Sequence, residues 1–134
     1  MSKNLNSICL NCKIEFKHGT SSTGKYCSNK CQLSYERKSY LAKLISGELC
    51  GVQLDRKTVY KHLVEQRGNR CEICGLTDWN NKPIRLWVDH IDGCAINNNW
   101  TNFRLICPNC DSQLETCRAK NKGKGRKSLG LKST

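Results

Sequence analysis

Cysteine pairing is the feature that most constrains how this chain can fold. Eleven of the 134 residues are cysteines, and eight of them form four pairs whose members are separated by two or three residues. Two such pairs can surround one ion with four thiolates, the ligand arrangement of a closed structural zinc site. The first two pairs follow the spacing C-x2-C-x14-C-x3-C, and the last two lie 32 residues apart. The predicted zinc ligands are Cys9, Cys12, Cys27 and Cys31 for one site, and Cys71, Cys74, Cys107 and Cys110 for the other.

A chain of this size needs such a staple, because a small domain buries too little apolar surface to be stable through packing alone. A disulfide framework is the alternative. The odd number of cysteines and an N-terminal segment without an apolar run argue against a secreted, oxidised protein. No stretch is apolar enough over the length that a membrane span requires. We therefore expect a cytoplasmic protein with two structural Zn²⁺ ions.

The charge of the chain indicates a polyanionic partner. Lys and Arg number 23 against 11 Asp and Glu, which leaves a net charge of +12. A positive field of this strength concentrates nucleic acid and speeds its association, although a solubilising surface is the simpler alternative. Residues 118–134 hold seven cations and no acid. This composition predicts a disordered basic arm that contacts phosphates.

Two helices are predicted on either side of a short linker. The first begins at Ser28, a residue suited to an N-cap, and stops at Gly47. The second spans residues 56–66, where apolar residues recur at i and i+4, and Gly68 ends it. The apolar stripe expected on the first helix consists of Leu33, Leu41, Leu44 and Ile45. The predicted domains are a four-cysteine finger with its helix (1–47), a second domain with its preceding helix (48–117) and the basic arm (118–134).

Strand periodicity appears between the last two cysteine pairs. Apolar residues recur at every second position over residues 84–89 and again over 103–107. A turn-rich segment connects the two runs, and Pro108 suits the first turn of a helix over 108–120. The expected fold class is therefore small α+β and metal-stabilised. In it, a strand–loop–strand–helix core follows a zinc-ribbon-like finger and two helices.

Three short motifs lie in order within this frame. Residues 88–93 read VDHIDG, 102–105 read NFRL, and 107–111 read CPNCD. With the basic tail they resemble the HNH nuclease family, especially its small phage-type members, over about residues 60–127. The resemblance implies a ββα-metal (His-Me finger) core and a metal-dependent DNA endonuclease, encoded by a phage or a prokaryote and similar to free-standing homing enzymes. The N-terminal four-cysteine module also resembles the finger that precedes such domains in some phage proteins.

The chemistry of phosphodiester hydrolysis assigns roles to four residues of these motifs. The reaction needs an activated water, a counter-charge for the transition state and help for the leaving oxygen. His90 is the candidate general base, because the ordinary pKa of imidazole lies near neutrality. Asp89 and Asp111 offer the hard oxygen ligands that Mg²⁺ or Mn²⁺ prefers. Asn102 matches the central Asn of the family, and its amide would tie the loop to the backbone and aim His90.

One position departs from the family pattern. The last residue of the motif set is Asp111, where the family usually carries His. Aspartate is a competent ligand and adds a negative charge, which favours hard ions over soft ones. The departure therefore puts the metal preference in doubt more than the activity.

Double-stranded DNA is the expected partner. One active site would nick one strand, and both a monomer and a weak dimer are compatible with the sequence. Two alternatives stay open: a non-catalytic zinc-finger DNA-binding regulator or accessory protein derived from an HNH fold, and a zinc-ribbon adaptor for another protein. The first does not explain why the residues of the three motifs occur together, and the second gives the net charge of +12 no role. Phosphate contacts are predicted for Arg85, Arg104, Lys120, Lys122 and Lys124.

Other polar residues have simpler interpretations. Asp92, before Gly93, is expected to form a turn. His18 is not expected to be a zinc ligand, because four cysteines already complete a tetrahedron. The unpaired cysteines, expected to remain free thiols or ordinary small residues, are Cys50, Cys94 and Cys117.

Overall fold

A computed structural model describes residues 4–117, together with Gly123 and Gly130. The chain divides into two compact units, Met1–Ala42 and Lys43–Thr134. The described elements confirm the small α+β class, while the three predicted domains stay a prediction. No helix in the described part is long and apolar enough to cross a membrane. The elements are β1 (Leu5–Ile8), β2 (Glu15–His18), α1 (Asn29–Ser46), α2 (Arg56–Arg67), β3 (Asp78–Trp79), β4 (Lys82–Pro83), β5 (Trp87–His90), β6 (Phe103–Ile106) and α3 (Pro108–Gln113).

The first unit contains a two-stranded hairpin followed by most of α1. β1 pairs antiparallel with β2, with Leu5 opposite His18. In the turn between the strands, Lys13 adopts a positive φ of 63° and its N–H bonds to the carbonyl of Cys9 at 2.9 Å. This tight turn brings the first cysteine pair together.

Helix α1 begins where the sequence predicts. The hydroxyl of Ser28 accepts the Cys31 N–H at 3.2 Å, which confirms the N-cap. The predicted apolar stripe is wrong in part: Leu44 is buried, but Leu33 and Ile45 are 66% and 55% exposed. Helix α1 has 18 residues and is therefore about 27 Å long. Strands β1 and β2 have only four residues each, too few to cover a helix of that length.

Helix α2 is the first element of the core of the second unit. Asp55 caps it by accepting the N–H groups of Lys57 and Thr58 at 3.1 and 3.4 Å. The helix packs on β5 and β6 and buries Val59 and Leu63 completely or nearly so. The predicted helix is confirmed and extends one residue further, to Arg67.

Strands β5 and β6 form an antiparallel pair that leads directly into α3. Asp89 lies opposite Arg104 and His90 opposite Phe103. The predicted helix over 108–120 is too long, because α3 ends at Gln113. Its last turn tightens to an i→i+3 bond from the Leu114 N–H to the Asp111 carbonyl, and Leu114 itself is extended.

The strand predicted over 84–89 is shorter in the structure, where β5 covers Trp87–His90, and the residues before Ile84 form a separate hairpin. β3 and β4 pair through a two-residue turn of Asn80 and Asn81, whose φ angles are 53° and 59°. Positive φ at both central residues is the requirement of the commonest tight hairpin turn. Ile84 and Leu86 are nevertheless buried, as their alternation predicts.

Candidate metal centres and active site

The four cysteines of the first unit converge on one point. The sulfur atoms of Cys9, Cys12, Cys27 and Cys31 all lie within 4.8 Å of one another. Measured pairwise, Cys12 and Cys27 are 3.7 Å apart and Cys27 and Cys31 are 3.5 Å apart. A tetrahedral zinc ion with bonds of about 2.3 Å separates its sulfur ligands by about 3.8 Å. The geometry therefore fits a structural zinc ion.

The second cluster holds the start of α3. The sulfur atoms of Cys71, Cys74, Cys107 and Cys110 also lie within 4.8 Å of one another. Cys74 and Cys107 are 3.8 Å apart, and the Cys107 N–H donates to the Cys71 sulfur at 3.4 Å. Because Cys107 caps α3 and Cys110 lies on it, an ion in this cluster fixes the residue that follows, Asp111.

Thiol acidity in both clusters suits a cation. Burial raises the pKa of Cys9, but N–H bonds from the Cys12 and Cys27 backbone outweigh burial and bring the pKa to about 6. Burial and backbone N–H bonds act in the same way on Cys71, whose pKa is also about 6. In each cluster the lowered pKa of one thiol favours binding of a cation.

A second thiol in each cluster is correspondingly resistant to ionisation. Hydrogen bonds with Cys31 and Cys12 raise the pKa of Cys27 to about 12. Burial and the bond with Cys74 raise the pKa of Cys110 to about 12. A bound divalent ion would lower the raised pKa of such a thiol, because the positive charge of the ion takes the place of the proton that neighbouring cysteines share.

Three of the four residues predicted to carry out catalysis line one cavity. Asp89 and His90 reach it from the end of β5, and Asp111 reaches it from α3. The cavity has a volume of about 260 Å³, and Arg56 also lines it. Two carboxylates and an imidazole in one polar cleft form a donor set that a hard divalent ion can use.

Asp89 is also held by a cross-strand salt bridge. The Arg104 Nε donates to Asp89 Oδ2 at 2.7 Å, and the two side chains are 19% and 16% exposed. Oδ1 of the same carboxylate is then the atom suited to hold an ion. The bridge also places a guanidinium charge beside the cavity, which a sequence prediction of Arg104 as a phosphate contact did not anticipate.

Asn102 lies in the loop between the strands rather than among the cavity residues. Its Oδ1 accepts the Asp92 N–H at 3.1 Å, and its Nδ2 donates to Asp92 Oδ1 and to the Asn97 carbonyl, both at 2.9 Å. The Ile91 N–H bonds to the Asn102 carbonyl at 2.8 Å. These bonds close the loop between the strands, and the catalytic role of Asn102 stays a prediction.

Asp92 is the turn former that the sequence predicts. Its Oδ1 accepts the Cys94 N–H at 2.9 Å, and its Oδ2 accepts from Asn97 at 2.6 Å. Burial raises the pKa of Asp92, but the bonds from Asn97 and the Cys94 backbone outweigh it and lower the pKa overall. The carboxylate is thus committed to the loop.

Asn98 is a site residue that the sequence prediction missed. Its side chain is fully buried, and its Oδ1 lies 3.1 Å from His90 Nε2. Its Nδ2 donates to the backbone carbonyls of Leu49 at 2.7 Å and Val52 at 2.8 Å. The only sequence signal was the run of three asparagines at 97–99, which was interpreted as a turn. The His90 ring also packs against Phe103, with ring centroids 5.0 Å apart.

The predicted phosphate-binding residues do not all gather at this cavity. Arg85 is exposed and lines a different cavity, with Trp79 and Asn109. Lys120, Lys122 and Lys124 lie outside the described residues.

The remaining histidines and single cysteines lie outside both metal clusters in the described part of the chain. The two ring nitrogens of His18 bond to the Ser7 hydroxyl at 2.9 Å and the Gly19 carbonyl at 3.0 Å, in keeping with the expectation that it is not a ligand. His62 packs its ring against Trp100, with ring centroids 5.1 Å apart, and its side chain is only 15% exposed. Cys117 lies 4.0 Å from Asp111 Oδ2.

Comparison with known proteins yields one informative similarity. The chain is 46% identical over 56 residues to the H-N-H endonuclease F-TflIV of Escherichia phage T5. The matched segment covers 42% of this chain and 25% of that relative, so the chain spans about a quarter of the relative's length. No family model and no solved structure matches the chain. The similarity confirms the resemblance to HNH endonucleases that the three motifs predict.

Proposed function

We propose that this chain is a metal-dependent DNA endonuclease of the HNH type, with β5, β6 and α3 as its ββα-metal core. The observation that carries the proposal is the convergence of Asp89, His90 and Asp111 on one polar cavity. The similarity to a phage endonuclease supports the same class of reaction.

Each cavity residue has a distinct task in this proposal. His90 accepts the proton of the attacking water, and Asp89 and Asp111 hold the catalytic ion through their carboxylate oxygens. When bound, Mg²⁺ or Mn²⁺ supplies positive charge to the phosphate and the leaving oxygen. Arg104 holds Asp89 in place at 2.7 Å. Asn102 keeps the loop after His90 closed through its bonds to Asp92 and Asn97.

The two zinc ions are structural in this proposal. Each four-cysteine cluster fills a tetrahedron, so neither ion has an open position for water or substrate. The second ion sets the start of α3 and thereby the place of Asp111. The first zinc stabilises the N-terminal finger.

Double-stranded DNA is the proposed substrate, because a net charge of +12 on 134 residues favours binding to phosphates. Arg85, Arg104 and the lysines at 120, 122 and 124 are the proposed phosphate contacts. One active site cuts one strand, so nicked DNA is the expected first product of a single chain.

Plasmid nicking tests the proposal. Purified zinc-loaded protein is incubated with supercoiled plasmid and Mg²⁺ or Mn²⁺, alongside His90→Ala and the matched control His62→Ala. His62 is suitable because it packs against Trp100 and does not line the cavity. We expect the wild type and His62→Ala to relax the plasmid and His90→Ala to be slower by at least about 100-fold, the lower range of general-base contributions.

The rival function gives a different result in the same assay. A non-catalytic DNA-binding protein would bind the plasmid equally in all three forms and cut it in none. Retained plasmid binding by an inert wild type, with both metals tried, would exclude the endonuclease.

A further inference from the structure

Asn98 is the one fully buried polar side chain among residues 4–117. A buried amide costs free energy unless its donors and acceptors find partners. Here all three bonds that anchor the amide are formed, two by Nδ2 and one by Oδ1. These partners allow the Asn98 amide only one of the two orientations that a flip of its Oδ1 and Nδ2 atoms would give.

The carbonyl partners decide which end of the amide faces which group. The oxygens of Leu49 and Val52 can only accept hydrogen bonds, so the atom that faces them must be the NH₂ group. A flipped amide would set Oδ1 against two carbonyl oxygens. Oδ1 of Asn98 therefore faces His90 Nε2.

The orientation of the amide in turn decides where His90 carries its proton. An amide oxygen can only accept, so Nε2 must be the protonated nitrogen of the neutral ring. The other nitrogen, Nδ1, is then left with its lone pair. The tautomer of a histidine is commonly set by the bond that its second nitrogen makes.

We propose that Asn98 is a positioning residue that locks His90 in the Nε2–H tautomer, so that Nδ1 is the nitrogen that takes the proton from water. This inference rests on the proposed function, because it names the atom through which the general base acts. It adds to that function a residue that does not line the cavity holding Asp89 and Asp111.

The contacts that hold Asn98 reach beyond the loop between β5 and β6. Leu49 and Val52 belong to the segment before α2, and the Gly51 N–H also bonds to the carbonyl of Ile96 at 2.9 Å. The segment is thus fastened to the loop by backbone as well as by Asn98. With Phe103 against its ring, His90 is held in both plane and tautomer. Outer residues that orient the ligands of a metal commonly contribute about 10- to 100-fold to activity, and we expect a contribution of the same size from the residue that orients His90.

Histidine nitrogen chemical shifts test the lock without any measurement of activity. The zinc-loaded full chain, labelled with ¹⁵N at histidine, is studied at about pH 8.5, two units above the ordinary histidine pKa of about 6.5. The chain has three histidines, and the signals that disappear in His90→Ala identify His90. We expect one protonated and one unprotonated nitrogen with fully separated shifts, the proton residing on Nε2. Shifts averaged between the two nitrogens, or a proton on Nδ1, would overturn the proposal.

Single-turnover nicking of DNA tests the consequence. Asn98→Ala is compared with Asn99→Ala, a neighbouring exposed asparagine whose side chain bonds to Asn97 and not to His90. Zinc content and circular dichroism establish that both variants are folded. We expect Asn98→Ala to cut about 10- to 100-fold more slowly at unchanged DNA affinity, with averaged His90 shifts, and Asn99→Ala to match the wild type. An Asn98→Ala protein that cuts at the wild-type rate would contradict the positioning role.

The two proposals fail in different ways. A wild-type protein that never cuts DNA but shows a locked Nε2–H tautomer overturns the endonuclease and supports the lock. A wild type that cuts DNA with an unlocked ring supports the endonuclease and overturns the lock. If Asn98→Ala does not fold, the wild-type spectrum alone decides the tautomer.

Discussion

In the proposed endonuclease, Asp111 is the residue expected to set the metal preference of the site. It lies directly after Cys110 on α3 and shares a cavity with Asp89 and His90. A carboxylate is a harder ligand than an imidazole, so we expect Asp111 to favour Mg²⁺ and Mn²⁺ over softer ions.

Two variants test this preference. Asp111→Ala is expected to lower nicking in Mg²⁺ by about 100-fold or more, because loss of a ligand should cost at least as much as loss of an outer partner, which typically costs about 10- to 100-fold. Asp111→His is expected to cut better with Ni²⁺ or Co²⁺ than with Mg²⁺, because imidazole suits those ions. Nicking rates across a series of metals provide the measurement. Asp78→Ala is the matched control, since that exposed carboxylate accepts a bond from Thr77 outside the cavity. An Asp111→His protein that keeps the wild-type order of metals would contradict the assignment.

The sequence predicts some residues of the site better than others for a physical reason. Asp89, His90 and Asp111 fall in short motifs whose elements adjoin the cysteine pairs, so local patterns are enough to place them. Asn98 is different, because its partners are backbone carbonyls 49 and 46 residues earlier in the chain. A carbonyl is present at every residue and leaves no mark in the sequence.

At the scale of elements, helix ends are predicted well where a side chain forms the cap. Ser28 and Asp55 bond to the first turns of α1 and α2, and both bonds depend on local sequence alone. The hairpin of β3 and β4 was missed, because its two-residue strands are too short to show a period. The length of α3 was overestimated, since nothing before Leu114 marks a stop.

Removal of the α2 cap has a measurable effect on stability. Asp55→Ala is expected to lower the free energy of unfolding by about 1 kcal/mol, the usual value of such a cap. Asp55→Asn is the matched control and should lose less, because asparagine is also a good cap. Urea unfolding of the zinc-loaded protein at neutral pH measures both. Equal stability of Asp55→Ala and the wild type would contradict the capping role.

The pH dependence of this cap follows from the direction of the Asp55 pKa. The hydrogen bond from the Thr58 hydroxyl is the largest cause that lowers this pKa, and backbone N–H bonds add to it. A carboxyl whose pKa is lower in the folded state stabilises the fold above its unfolded pKa of about 3.9. That stabilisation is lost as the pH falls through the folded pKa. The difference between the wild type and Asp55→Ala should therefore be the same at pH 6 and pH 8 and shrink as the pH falls below about 3.9. A difference that does not shrink there would show that Asp55 does not act through its charge.

At the scale of the whole molecule, the two four-cysteine clusters predict the metal content. Elemental analysis of the purified protein is expected to find about two zinc ions per chain, one for each closed four-cysteine site. Cys9→Ser and Cys71→Ser should each remove one of them, because a serine hydroxyl replaces a thiolate ligand. Only Cys71→Ser should abolish nicking along with its zinc, since the second cluster fixes Asp111. A wild-type content near one zinc ion per chain would contradict the assignment of the first cluster as a zinc site.

The basic arm predicted at 118–134 should govern affinity for DNA. Binding of a charged protein to DNA weakens with salt by about 0.9 logarithmic units for each phosphate contacted per decade of salt. Deletion of these residues, which carry seven cations, should therefore flatten the salt dependence of the binding constant. A fluorescence titration of the full and shortened chains over a range of salt concentrations gives both slopes. An unchanged slope would show that the arm makes no phosphate contacts.

The short helix α3 has an evolutionary consequence. It has six residues and is held at its start by sulfur ligands rather than by a large apolar face. Substitution of the residue after Cys110 therefore disturbs little packing, so mutation can exchange the ligand at position 111 without loss of the fold. If the chain is the proposed endonuclease, its metal preference could therefore change by a single substitution at position 111.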